Sequence, residues 1–79
     1  KKINFKYIIV LGNFYFNESA KEMKSRILSE TSIKNVNVKK LSNTEYRVFL
    51  GPFNNLNSLK TSFNAINVLN FENIEIIKK

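Results

Sequence analysis

The residues that usually carry acid, base, nucleophilic or metal-binding chemistry are nearly absent from this chain. It contains no His, Cys or Asp, and its carboxylate side chains are six scattered glutamates. These are Glu18, Glu22, Glu30, Glu45, Glu72 and Glu75. Without His the commonest general base and metal ligand is missing, and without Cys there is neither a disulfide nor a thiolate site. The sequence therefore predicts a protein that is not an enzyme and that holds no metal or cofactor.

The remaining chemistry lies in charge and in hydrogen-bonding amides. Thirteen Lys and Arg residues against six Glu give a formal net charge of +7 at pH 7, which indicates an anionic partner. The chain is also rich in Lys, Asn and Ile, so a genome-wide compositional bias is an alternative explanation of this charge. Arg47 is one of only two arginines, and its planar guanidinium makes it the better candidate for a specific contact with a carboxylate.

The length of the chain limits it to one domain, residues 1–79. A domain of this size buries a modest share of its surface, which favours surface binding over a deep active site. The longest apolar run, residues 8–11, is too short to cross a bilayer. Because the chain begins at Lys1 rather than Met, we expect it to be part of a longer protein that carries any anchor or export signal.

Two segments of the chain share one layout of aromatic, aliphatic, Gly and Phe residues. They read YIIVLGNF at 7–14 and YRVFLGPF at 46–53. The matching pairs, each 39 residues apart, are Tyr7 and Tyr46, Ile9 and Val48, Leu11 and Leu50, Gly12 and Gly51, and Phe14 and Phe53. The chain therefore contains an internal duplication of about half the molecule.

Alternating strand and helix periodicities predict the element order β-α-β-β-α-β. The strands are expected at 6–11 (β1), 36–39 (β2), 46–50 (β3) and 74–77 (β4). Gly12 and Pro52 are expected to end β1 and β3, because Gly permits an unusual backbone angle and Pro lacks an N–H. The two duplicated segments thus each supply one strand.

Two helices are expected between these strands, each starting at a side chain that can cap it. The first should begin at Asn17 or Ser19, with Ser19 and Glu22 as a capping box, and end near Glu30. The second should begin at Asn55 or Asn57. Their apolar stripes are Ala20, Met23, Ile27 and Leu28 in the first, and Leu56, Leu59, Phe63 and Ile66 in the second.

This order of elements fits an α+β two-layer sandwich in which a four-stranded antiparallel sheet carries both helices on one face. We expect the strand order β4-β1-β3-β2, with the two duplicated strands at the centre. The opposite face of the sheet, which no helix would cover, is called the open face below. Strand alternation predicts which side chains it holds.

The expected open face combines apolar and polar groups. Its apolar members are Ile8, Val10, Phe49 and Ile77, and its polar members are Lys6, Asn13, Asn37, Lys39 and Arg47. Exposed apolar surface bordered by polar groups usually marks a binding site. The alternatives are that β-propensity alone placed the apolar residues there, or that a neighbouring domain covers them. For Lys39, the alternative to a binding role is that of a solvated charge on an edge strand, which discourages pairing with another chain.

The two duplicated strands, each followed by a helix, resemble the SPOR (sporulation-related repeat) domain family over essentially the whole chain. The third strand of that family reads roughly Tyr-Arg-Val-x-x-Gly-Pro-Phe, and the matching residues are Tyr46, Arg47, Val48, Gly51, Pro52 and Phe53. The first strand of the family reads roughly Tyr-x-Val-Gln-Leu-Gly-Ser-Phe. Here Val10 stands where Gln is usual, and Asn13 stands where a small residue is usual.

The resemblance implies a ferredoxin-like module of the bacterial cell envelope that binds peptidoglycan. Its implied ligand is a glycan strand stripped of stem peptides, which concentrates at the division septum, and its implied location is the periplasm or envelope as part of an exported or membrane-anchored protein. The glycan would lie along the open face on Ile8, Val10, Asn13, Asn37, Lys39, Arg47, Phe49 and Ile77. We expect a monomer whose domain makes no membrane contact of its own.

The chemistry of these residues suits such a ligand, because sugars present hydroxyl-rich edges and apolar C–H faces. A denuded glycan also carries a free lactyl carboxylate on each N-acetylmuramic acid. Arg47 or Lys39 is the expected partner of that carboxylate.

The same architecture is compatible with two other binding functions. RNA recognition motifs also have a basic open sheet, but their RNP1 motif is not matched by EYRVFLGPF, and Ile8 and Val10 stand where an aromatic residue is needed. We therefore expect no nucleic-acid partner. The second alternative is a protein interaction module that pairs through the edge of β2 or β4.

Overall fold

The computed structural model describes residues 6–69, 71 and 74–78. Its elements in chain order are β1 (Tyr7–Phe14), α1 (Asn17–Glu30), β2 (Val36–Ser42), β3 (Glu45–Phe53), α2 (Leu56–Asn67) and β4 (Glu75–Lys78). The predicted order of strands and helices is confirmed.

The four strands form one antiparallel sheet in the order β2-β3-β1-β4. This is the predicted order, and it places the two duplicated strands at the centre. Buried residues of α1, α2, β1, β2 and β3, and one from the segment between α1 and β2, form the main core on one face of the sheet. They are Ile9, Leu11, Ala20, Ile27, Ile33, Val36, Val48, Leu50, Phe53, Leu59 and Ile66. The fold is therefore the predicted α+β sandwich with both helices on one face.

The duplicated segments pair with each other in a register that respects the repeat. Tyr7 lies opposite Phe53, and Phe14 lies opposite Tyr46. Each repeat therefore sets its first residue against the last residue of the other. Such a register relates the two central strands by an approximate two-fold axis.

The two ends of this central strand pair differ in chemistry. At one end, Arg47 and Asn13 lie opposite each other in register. At the other end lie the residues equivalent to them by the 39-residue repeat, which are Ile8 for Arg47 and Pro52 for Asn13. One end of the pair thus carries a charge and an amide, and the other carries an aliphatic chain and a proline ring.

Both central strands extend past their predicted ends. β1 continues through Gly12 to Phe14, and β3 continues through Pro52 to Phe53. The prediction that Pro52 ends β3 was wrong because the ladder is irregular there: two steps of β1 face three steps of β3. Such a bulge lets a strand include a residue that has no N–H to donate. Gly51, with φ of 108°, lies within the bulge.

The two helices begin in different ways. Asn55 caps α2 as predicted, and its Oδ1 accepts a hydrogen bond from the N–H of Ser58 at 2.8 Å. α1 begins at Asn17, one of the two predicted positions, but Asn17 does not cap it: the cap position is held by Phe16, which makes no side-chain cap hydrogen bond. The predicted capping box of Ser19 and Glu22 was wrong, because both residues lie inside the helix.

Each predicted apolar stripe loses one member to solvent. The inward-facing members pack in or against the core, as expected. Leu28 is 38% exposed and Leu56 is 55% exposed. Leu28 directly follows the buried Ile27, and the 100° step of a helix turns it out of the stripe. Leu56 is the first residue of α2, beyond the reach of the core.

Candidate functional site: the open face of the sheet

Cross-strand register places all the predicted glycan-binding residues on the open face. Ile8, Val10, Phe49 and Ile77 pack together in a second apolar cluster, separate from the main core. This cluster is called the apolar patch below. Asn37 lies opposite Phe49, while Lys39 and Asn13 lie on either side of Arg47. The predicted set is thus brought together on one surface, and its role in binding stays a prediction.

The apolar patch is less accessible than expected. Ile8 is 7% exposed, Val10 is 4% exposed and Phe49 is 8% exposed, although the patch contains no residue of either helix. The expectation of an exposed strip was therefore wrong for these three side chains. Val10 faces Phe49, and Ile8 faces Ile77, and cross-strand neighbours lie close enough to shield each other from water.

A chain of hydrogen bonds borders the patch at the polar end of the central strands. The Nδ2 group of Asn13 donates to Oε2 of Glu45 at 2.9 Å, and Nε of Arg47 donates to Oδ1 of Asn13 at 3.3 Å. Asn13 therefore uses both its donor and its acceptor, and it separates the Glu45 carboxylate from the guanidinium. Because these hydrogen bonds already fix the side chains of Asn13 and Arg47, the two lose little conformational freedom when a ligand binds.

The terminal nitrogens of Arg47 take no part in this chain of hydrogen bonds. Its Nε is held by Asn13, whereas its terminal nitrogens make no hydrogen bond or ion pair with the residues that the structure describes. Lys39 lies opposite it on the neighbouring strand. The described part of the open face therefore has two adjacent cations, which favour an anionic group.

Asn37 has a structural contact that the sequence did not predict. Its Nδ2 group donates to the carbonyl oxygen of Gly51 at 2.9 Å. This bond fastens the edge strand β2 to the bulge of β3. Its Oδ1 faces no donor among the residues that the structure covers, and it is the part of the amide that suits a ligand hydroxyl.

Comparison with known protein families, curated proteins and solved structures found no match.

Two carboxylates on or beside the open face were missed from the predicted site. Glu45 joins the hydrogen-bond chain through Asn13, and Glu75 lies opposite Val10 on β4. The signal for Glu45 was in the sequence: it precedes Arg47 by two residues, and a strand alternates with a period of two. The same signal was available for Glu75, which precedes Ile77 by two residues. Only its position opposite Val10 depends on the register of β4 against β1.

Two aromatic side chains beyond the end of β1 were also missed. Tyr15 is 62% exposed and Phe16 is 59% exposed, and their ring centroids lie 4.7 Å apart in an edge-to-face arrangement. Three successive aromatics, starting at Phe14, were the available signal, because neighbouring side chains of an extended chain alternate and cannot all point into the core. Exposed rings of this kind offer flat apolar surface next to the polar end of the central strands.

The described residues hold no group of three or more carboxylate, His or Cys side chains arranged as metal ligands. Glu72 lies outside these residues. Neither α1 nor α2 is long and apolar enough to span a membrane.

Proposed function

We propose that this chain is a non-catalytic binding module for peptidoglycan, and that it prefers glycan strands without stem peptides. In this proposal it belongs with the SPOR domains and acts in the bacterial cell envelope, at the division septum. Support comes first from the residues of β3 that match the family pattern, Tyr46, Arg47, Val48 and 51–53. The fold agrees with the one that the resemblance implies.

The observation that carries the proposal is the geometry of Arg47 beside the apolar patch. Asn13 holds one edge of the guanidinium, and the two terminal nitrogens remain for an end-on pair of hydrogen bonds to a carboxylate. A denuded glycan presents one lactyl carboxylate per N-acetylmuramic acid. The exposed rings of Tyr15 and Phe16 supply flat surface for sugar C–H faces nearby, which the buried Phe49 does not.

A pull-down with purified sacculi tests this function directly. We expect the full chain to sediment with sacculi, and to do so several-fold more after an amidase has removed the stem peptides. The increase is expected because each cleavage frees a carboxylate and uncovers the sugar backbone. Binding to neither preparation, or binding to the untreated sacculi alone, would contradict the proposal.

A titration with single-stranded RNA separates this function from the main alternative. Binding through many phosphates falls steeply with added salt, whereas a single ion contact weakens only moderately. Tight and steeply salt-dependent RNA binding, without glycan binding, would replace the glycan proposal by RNA recognition.

Replacing Arg47 tests the proposed contact at residue level. Arg47→Ala is expected to weaken binding to denuded glycan several-fold, since an exposed ion contact contributes about 1 kcal/mol. Arg26→Ala is the matched control, because Arg26 is the other arginine and lies on α1, where it pairs with Glu30. Isothermal titration of both variants gives the comparison. Equal losses of affinity in the two variants would mean that net charge alone explains the effect, and that Arg47 is not part of the binding site.

A further inference from the structure

Asn13 reaches its place beside Arg47 through an irregularity in β1. In an unbroken strand it would lie on the opposite face from Ile8 and Val10, because side chains alternate with a period of two. The pairing of β1 with β3 shifts register between Val10 and Gly12, where two steps of β1 face one step of β3. This bulge places Asn13 opposite Arg47 on the open face. Bulges often re-aim a side chain beside a functional site.

Two neighbours with opposite hydrogen-bonding chemistry fix the orientation of the Asn13 amide. The Glu45 carboxylate can only accept a hydrogen bond, and Nε of Arg47 can only donate one. Nδ2 of Asn13 accordingly faces Glu45 at 2.9 Å, and Oδ1 faces Arg47 at 3.3 Å. A flipped amide would set its oxygen against the carboxylate and its N–H groups against the guanidinium, so both hydrogen bonds would be lost together.

Glu45 is linked to Arg47 through this amide. Within the described part of the chain Glu45 forms no ion pair, so its hydrogen-bonded connection to the guanidinium runs through Asn13. We propose that Glu45 is a positioning residue for the glycan site. It fixes Asn13, which holds Arg47 by Nε and leaves the terminal nitrogens to the carboxylate of the ligand. This inference rests on the proposed function, because it assigns a role in that same site.

Net charge and positioning predict opposite effects of removing the Glu45 carboxylate. Neutralising it raises the net charge by one, which by itself strengthens the attraction of an anion. Loss of a positioning residue instead weakens binding. We expect Glu45→Ala to bind denuded glycan about threefold more weakly, because the Arg47 side chain must then be ordered on binding. Glu45→Gln should bind at least as tightly as the unchanged protein, since its amide oxygen can accept the hydrogen bond from Asn13.

Isothermal titration of the full chain with denuded glycan compares these variants. The matched control is Glu22→Ala, which removes the same charge from an exposed position on α1 and should not weaken binding. In an Asn13→Ala background, Glu45→Ala should weaken binding no further, because the residue through which it acts is already gone. Equal affinities of the Glu45→Ala and Glu22→Ala variants, or a further loss in the double variant, would overturn the proposal.

Solvent exchange of the Arg47 Nε–H proton, followed by NMR, tests the positioning without a ligand. We expect exchange to be several-fold faster in Glu45→Ala than in the unchanged protein, and close to unchanged in Glu45→Gln. Equal exchange rates in Glu45→Ala and the unchanged protein would overturn the positioning role whether or not glycan binds. A chain that shows the expected exchange pattern but binds no glycan would refute the proposed function and leave the positioning of Arg47 by Glu45 intact.

Discussion

Gly51→Ala is expected to lower the free energy of unfolding by about 2 to 4 kcal/mol, whereas Gly12→Ala should change it by less than about 1 kcal/mol. Gly51 has φ of +108°, and a Cβ atom there would lie 3.0 Å from the ring of Phe53 and 3.1 Å from its backbone nitrogen. Phe53 is 3% exposed and is held by the core, so its ring has no room to move aside. At Gly12 the nearest atom to a new Cβ is 3.8 Å away, an ordinary contact.

Urea unfolding of the two variants measures this difference. Gly12 and Gly51 are equivalent by the repeat, so each substitution is the natural control for the other. Similar losses for both variants would mean that the repeat, rather than the bulge at Gly51, sets the need for glycine. An unchanged Gly51→Ala would contradict the described backbone at that residue.

Phe49→Ala is expected to destabilise the fold by about 3 kcal/mol, because it removes a large side chain from a packed cluster. Phe49 is 8% exposed and packs with Ile8 and Val10. For a domain of this size, such a loss corresponds to a Tm lower by about 12 to 24 °C. The matched control is Phe16→Ala, since Phe16 is 59% exposed and surface substitutions usually change stability by less than about 0.5 kcal/mol.

Thermal unfolding followed by circular dichroism distinguishes the two cases. If Phe49→Ala and Phe16→Ala unfold within a few degrees of each other, the apolar patch contributes little to stability, and its role would lie in binding. The burial of the patch leads us to expect the opposite. The open face then serves partly as a second core for the sheet.

The elements that the sequence predicted well are those set by local periodicity. Alternation along β3 assigned Val48 to the helix face and Phe49 to the open face, and both assignments are confirmed. Asn55 was predicted to cap α2, and it does so because its side chain requires only the backbone N–H three residues ahead, that of Ser58. Strand order followed from the order of elements, because the two-layer sandwich that fits it has the first and third strands, here the duplicated ones, at its centre.

The features that escaped prediction depend on partners distant in the chain. The end of β3 was misplaced because a bulge against Tyr7 carries the strand past Pro52. The hydrogen bond from Asn37 to the Gly51 carbonyl requires the register of β2 against β3. The burial of Phe49 likewise reflects neighbours on adjacent strands, so it depends on contacts that periodicity within one segment does not describe.

The unequal ends of the central strand pair give the open face a direction. Arg47 and Asn13 lie at one end, and their repeat counterparts Ile8 and Pro52 lie at the other. A symmetric repeat would hold a long polymer equally well in either orientation. With the cation and the amide at one end only, the two orientations of a chain with distinct ends differ in free energy. Under the proposed function, a glycan bound along this face would therefore have one preferred orientation of its reducing end, and the domain would distinguish the direction of a strand as well as its composition.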